Sequence, residues 1–221
     1  RRTSDPQAQP RPHELANPAS QAATEYHLAT PVKIDLRLTL HYGLAIFLSA
    51  FLLFQVQPLI GKMILPWFGG SASVWTTCML FFQMTLLLGY FYSHWVVRYL
   101  SPYRQSLLHG SLLLLCLVLL PIGASADWKP TGAENPTLRI LGLLTVSIGL
   151  PYFVLSTTGP LLQAWFARER SGLVPYRLFA LSNFGSMLAL LAYPLAVEPF
   201  FPTRWQSYLW SGLFACFVVA G

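Results

Sequence analysis

The chain has 221 residues, of which 54% are hydrophobic and only 10% charged, and its formal net charge is +6. Soluble domains carry about 25% charged residues, so the composition excludes an ordinary soluble enzyme and leaves an integral membrane class. The basic excess is spread along the chain rather than gathered on one soluble face, which excludes nucleic acid as a partner and leaves the lipid bilayer.

Residues 1 to about 33 are rich in Pro, Ala, Gln and Ser, with charges of both signs and no apolar period. A disordered cytoplasmic tail, drawn as 1–37, is expected there. It is not a signal peptide, because the nearest apolar run is too long for an h-region and no small-residue cleavage site precedes the next span. Six apolar runs follow and fill 38–221, measured against the roughly 20 residues that a helix needs to cross the hydrocarbon core. They run from about Leu40 to Leu65, Val74 to Val97, Leu107 to Ile122, Leu138 to Phe166, Leu178 to Val197, and from near Tyr208 onward. The last holds about 14 residues and the first residue is Arg1, so a fragment of a longer chain is expected.

Breakers agree with these limits: Pro66 with Gly69-Gly70, then Pro102, Pro121, Pro130, Pro136, Pro175, Pro199 and Pro202 fall at or near run ends. Pro58, Pro151, Pro160 and Pro194 fall inside or near the ends of runs, where membrane helices tolerate them. Two stretches repeat. Phe51-Leu-Leu-Phe-Gln-Val-Gln-Pro58 is followed by Leu87-Leu88-Gly89-Tyr90, and Phe153-Val-Leu-Ser-Thr-Thr-Gly-Pro160 by Leu190-Leu191-Ala192-Tyr193. Pro58 maps to Pro160 at an offset of 102, and Tyr90 to Tyr193 at 103. The fold expected is an all-α membrane protein of six transmembrane helices, made from two inverted three-helix repeats at about 40–122 and 138–221.

Orientation follows from Lys and Arg in the short loops. With the N-terminus inside, the cytoplasmic side holds Lys33, Arg37, Arg98, Arg104, Arg168, Arg170 and Arg177, against Lys62, Lys129, Arg139 and Arg204 outside. Arg1, Arg2 and Arg11 add to that margin, so a multi-pass protein of the bacterial cytoplasmic membrane with a cytoplasmic N-terminus is expected.

Polar residues within apolar runs are the site candidates, because amides and charges facing lipid go unpaired. Gln55, Pro58 and Lys62 share one helix face at i, i+3 and i+7, with Gln57 on another. Gln55 and Lys62 are candidates for a substrate or proton path; the plainer reading has glutamines joining helices and Lys62 snorkelling to the outer interface. In the second repeat Thr157, Gly159 and Ala164 stand at the positions of Gln55, Gln57 and Lys62, so the kinks at Pro58 and Pro160 read as architecture. Gln83 and Asn183 complete the path candidates. Asn183 with Ser182 and Ser186 is expected to bond between helices, and Gly185 with Ala189 to form a close-packing face.

Other features take structural readings. Gly69-Gly70-Ser71-Ala72-Ser73 is a tight hairpin with Ser73 as N-cap, not a phosphate-binding loop. His94 and His109 are expected at headgroup depth, solvated rather than ligating. Glu198 lies within reach of Arg204 or Lys62, with a solvated acid as the default. The seven Trp sit mostly near run ends, as interfacial belts do. Cys78, Cys116 and Cys216, without a Cys-x-x-Cys pair, act as small hydrophobes, and no metal or cofactor is expected.

The stretch Gln57-Pro-Leu-Ile-Gly-Lys-Met-Ile-Leu-Pro-Trp-Phe-Gly-Gly-Ser71, with Val74-Trp75, Phe81-Phe82-Gln83 and Leu88-Gly89-Tyr90-Phe-Tyr-Ser-His94, resembles the N-terminal membrane region of a bacterial protein family. That family fuses a major-facilitator-like membrane part to a spermidine-synthase-like domain. Tyr152 to Pro160 and Tyr176-Arg177-Leu-Phe-Ala-Leu-Ser-Asn-Phe-Gly-Ser186 resemble its second repeat, and the likeness covers about 40–221. It implies half of a major-facilitator-like bundle that anchors a downstream aminopropyltransferase-like domain and passes a small substrate. No catalytic residue carries over, because the glycine-rich Rossmann-type unit is not among these residues. The loop Arg98-Tyr-Leu-Ser-Pro-Tyr-Arg104 lacks the acid and glycines of the major-facilitator loop motif. The alternatives are half of a secondary transporter, with Gln55 and Lys62 on its path, and a non-catalytic helical subunit of a larger membrane complex.

Overall fold

The computed structural model describes residues 36–132, 135–169 and 176–220. The expected tail up to residue 35, with Lys33, and also Arg170 and Pro175, lie outside these residues. Everything described is helix, turn or loop, and no strand occurs among the described residues.

Six helices follow in chain order: α1 (Leu36–Phe68), α2 (Ala72–Tyr99), α3 (Pro102–Val118), α4 (Pro136–Glu169), α5 (Tyr176–Val197) and α6 (Thr203–Ala220). Four of them, α1, α2, α4 and α5, are long and apolar enough to cross a membrane. The expectation of six such spans is met more coarsely, because α3 has only 17 residues and α6 opens on the polar stretch Thr-Arg-Trp-Gln-Ser-Tyr.

Local chemistry accounts for the boundaries. Gly69 adopts φ +82°, a left-handed conformation open to glycine at little cost, and so closes α1. The next helix begins two residues earlier than the sequence reading has it: its N-cap is Ser71, and the Ser71 and Ser73 hydroxyls bond each other at 2.9 Å. Pro102 and Pro136 each stand in a first turn, where a missing N–H costs nothing. Asn135 Oδ1 caps α4 by accepting from the Thr137 and Leu138 amides. Pro151 and Pro194 are accommodated by widened π turns, at Thr145–Gly149 just before the first and at Tyr193–Val197 around the second. Pro58, Pro66 and Pro160 sit inside helices.

Packing centres on α1, of whose most apolar window 61% is buried, against 22% for α5. Ile46, Leu52, Val56, Ile60 and Ile64 run along its buried side. Small residues set the closest approaches. A Cβ on Gly89 of α2 would overlap Ser156 Oγ of α4, and one on Gly185 of α5 would lie 2.9 Å from the Phe47 carbonyl oxygen and 3.6 Å from Ala50 Cβ of α1. Phe82 of α2 packs its ring 4.9 Å from that of Tyr152 on α4.

Polar bonds cross the same seams. Gln57 Nε2 donates to the Tyr152 hydroxyl at 3.0 Å. Ser93 Oγ reaches the Thr157 carbonyl at 3.2 Å, and Trp210 Nε1 reaches the Leu52 carbonyl at 2.9 Å. Ser211 Oγ accepts from the Ile122 amide, and Ser207 Oγ donates to the Ile122 carbonyl. Trp210 is therefore a buried joint between α6 and α1, not the interfacial tryptophan its position in the sequence led us to expect.

Gly89→Ala should lower thermal stability in detergent by roughly 1–3 kcal/mol, the usual range for overpacking. Adding Ser156→Ala should recover part of the loss. A single variant as stable as the parent would show that the α2–α4 seam does not need the glycine.

Candidate functional site

Prolines on α1 and α4 shape the site. A proline has no N–H to give to the carbonyl four residues back. Pro58 and Pro160 therefore free the carbonyls of Phe54 and Ser156, which are themselves 102 residues apart. Both residues line a cavity of about 400 Å³ between α1, α2, α4 and α5. Its polar lining comes from Ser49, Ser156, Gln163, Ser182, Asn183 and Ser186, joined by Tyr90. Leu53, Leu86, Leu155 and Phe179 supply an apolar wall.

The serines are partly committed. Ser49 Oγ donates to the Ile46 carbonyl at 2.9 Å, and Ser186 Oγ to the Ser182 carbonyl at 3.0 Å. Ser156 Oγ donates to the Phe153 carbonyl at 2.7 Å. Each oxygen keeps lone pairs but no proton to offer. None of these lining residues carries a formal charge.

Two further grooves carry charged side chains, and they occupy matched places in the repeat. Pro58, Lys62, Tyr193 and Glu198 line one, of about 680 Å³. Pro160, Ala164, Tyr90, His94 and Arg98 line the other, of about 470 Å³. In the first, Lys62 Nζ meets Glu198 Oε1 at 3.2 Å, so Glu198 is paired rather than simply solvated. Those side chains remain 33% and 47% exposed, and such a pair adds little stability. The second groove shares Tyr90 and Pro160 with the cavity and so adjoins it. Arg98 also lies over the Tyr99 ring, 5.8 Å from its centre.

The expected path residues disperse. Asn183 lines the cavity, and Ser182 and Ser186 line it beside Asn183. Lys62 and Pro58 line the ion-paired groove. Gln55 is buried at 7% exposure, and its Oε1 finds no hydrogen-bond partner among the described residues. Gln57 is spent on Tyr152. Gln83 is exposed on α2. Gln55 and Lys62 thus share a helix face without lining one common space.

His109 is not the solvated interfacial residue expected from its place in the chain. It is buried, with its ring nitrogens 3.5 Å from Thr157 Oγ1 and 3.3 Å from Thr158 Oγ1 of α4. His94 is exposed. No group of three or more His, Cys, Asp or Glu that would hold a metal occurs among the described residues. The sequence reading missed Ser49, Ser156, Gln163 and Tyr90 as neighbours of Asn183. For Ser156 the signal was present in the repeat, since Phe54 and Ser156 stand four before its matched prolines.

Comparison with protein-family models, curated proteins and solved structures finds no match for this chain.

An unpaired buried acceptor costs about 1–3 kcal/mol, so Gln55→Leu should leave the unfolding midpoint unchanged or raise it. A lowered midpoint would mean that Gln55 serves a polar partner in the folded protein.

Proposed function

We propose that this chain is a multi-pass domain of the bacterial cytoplasmic membrane, with its N-terminus in the cytoplasm, that holds and passes a small molecule through the cavity between α1, α2, α4 and α5. The observation that carries this reading is a cavity with polar and apolar lining, contributed by the same four helices that are apolar enough to cross a bilayer. Amide and hydroxyl groups at such depth ordinarily face protein or a watered cavity, because hydrocarbon leaves them unpaired.

The inverted three-plus-three arrangement is part of the proposal, with α3 and α6 as its short third members. It is supported by matched contacts: Phe82 meets Tyr152, and Gly185 meets Ala50, at offsets of 103 and 102. A secondary-transporter half is the second reading, favoured by the cavity and the groove that adjoins it at Tyr90 and Pro160. On that reading Asn183 replaces Gln55 as the residue on the path, and Lys62 with Glu198 ties α1 to the end of α5 in a separate groove. Membership of the spermidine-synthase-like fusion family rests on the motif resemblance. It expects a soluble glycine-rich unit encoded after these helices; a parent gene without one removes the fusion and leaves the membrane-domain reading intact.

Cysteine labelling tests the cavity. In a Cys216→Ala background, since Cys216 is the exposed native thiol, Ser182→Cys and Ser186→Cys should react with a water-soluble thiol reagent. Val146→Cys and Leu191→Cys, exposed on helix faces assigned to lipid, should react roughly tenfold or more slowly, because attack needs a hydrated thiolate. Equal rates at all four positions would remove the membrane-embedded cavity.

A further inference from the structure

The repeat supplies its own comparison for the groove at the far end of α2. In the first groove Lys62 of α1 meets Glu198 at the end of α5, so the two charges cancel. The second has Ala164 where the first has Lys62, and its polar side is α2, with His94 and Arg98 one turn apart on one face. No acid lines it among the described residues. Glu169, five residues beyond Ala164, is engaged by the Tyr42 hydroxyl of α1.

Arg98 is unspent. Its guanidinium lies 5.8 Å from the centre of the Tyr99 ring and makes no hydrogen bond or ion pair among the described residues, so its N–H groups remain able to grip an oxyanion. His94, also exposed, brings a ring N–H donor. Depth comes from the neighbouring aromatics: Trp95 and Tyr99 are 45% and 65% exposed with rings 5.8 Å apart, and exposed Trp and Tyr at the end of a span mark headgroup level. From Arg98 the groove, of about 470 Å³, follows α2 back to Tyr90, roughly 12 Å at the helical rise, over Val97, Pro160 and Ala164. Its outer end is basic and its floor apolar. A free anion would use only the outer end, whereas a charged head on an apolar body uses both.

We propose that this groove binds the headgroup of an anionic phospholipid, with the phosphate held by Arg98 and His94 and the glycerol end lying over Val97, Pro160 and Ala164. A zwitterionic lipid carries the same phosphate beside a cation, and the groove has no acid to receive that cation. Net head charge is therefore what the site reads. The site rests on the membrane-domain reading and is independent of whether the cavity holds a ligand.

Native mass spectrometry of the full chain in an uncharged detergent tests this, with dioleoyl phosphatidylglycerol and dioleoyl phosphatidylcholine as matched probes. Phosphatidylglycerol should bind about fivefold or more tightly, the increment of one basic residue near an anionic surface. Arg98→Gln should bring the two lipids within about twofold of each other. Arg104→Gln, in the first turn of α3 and outside the groove, should leave the preference in place. Ala164→Glu, which gives this groove an acid of its own, should abolish the preference with both donors kept, and the uncharged Ala164→Gln should retain it. Equal binding of the two lipids by the parent chain, a preference that survives Arg98→Gln, or one lost equally with Arg104→Gln would each overturn the proposal. So would displacement of phosphatidylglycerol by an equal concentration of glycerol 1-phosphate, since the site would then read free phosphate. A chain that stays in solution without detergent removes the membrane reading itself, whereas one that enters nanodiscs and shows no lipid preference removes the headgroup site alone.

Discussion

Helix α4 provides a hydrogen-bond partner to each of the three helices before it, and the bundle hangs on those bonds. Tyr152 receives Gln57 from α1, the Thr157 carbonyl receives Ser93 from α2, and Thr157 and Thr158 face His109 of α3. Two turns further on, Trp165 Nε1 donates to Gln105 Oε1 at 2.7 Å, while Gln105 Nε2 donates to the Leu100 carbonyl at 2.8 Å. In water each bond would be a small increment. Between apolar helices the alternative to pairing is an unsatisfied group, so these bonds fix which helix face meets which, even where each adds only about a kcal/mol or less.

The same helix shows why matched positions need not stay chemically alike. The residues four before Pro58 and Pro160, Phe54 and Ser156, line one cavity, yet the surroundings of the two prolines diverge. Tyr193 is buried and donates to Gln206 Oε1 at 3.1 Å, whereas its counterpart Tyr90 is half-exposed and lines the cavity. Lys62 has an acid opposite it and its counterpart Ala164 does not. One groove is thereby tied and the other left untied. Shared geometry comes from proline and small residues, and the difference between the two ends comes from side chains that geometry does not require.

Much of this was legible in the chain. Apolar run length gave six helices close to their observed limits, because a helix of a given length needs a matching number of apolar residues whatever it packs against. Gly89, marked in the repeat as the small residue before a tyrosine, meets Ser156 where no side chain fits. What failed was facing. His109, Gln57 and Trp210 look interchangeable with interfacial or path residues until partners 48, 95 and 158 residues away are placed beside them. Nor does a hydrophobic pattern that runs round the whole helix reveal the inward side, which is why Gln55 and Lys62 read as one stripe and Ser49 was passed over.

The dependence of α3 on α4 has a consequence for biogenesis. As the chain emerges, α3 presents Gln105 and His109 before Thr157, Thr158 and Trp165 have been made. Its 17 residues give it little apolar length with which to hold a transmembrane position alone. Helix α6 stands in the opposite case, since the Leu52 carbonyl and the Ile122 backbone that receive it are already in place. The packing partners are thus asymmetric in chain order: those of the third helix follow it, and those of the sixth precede it.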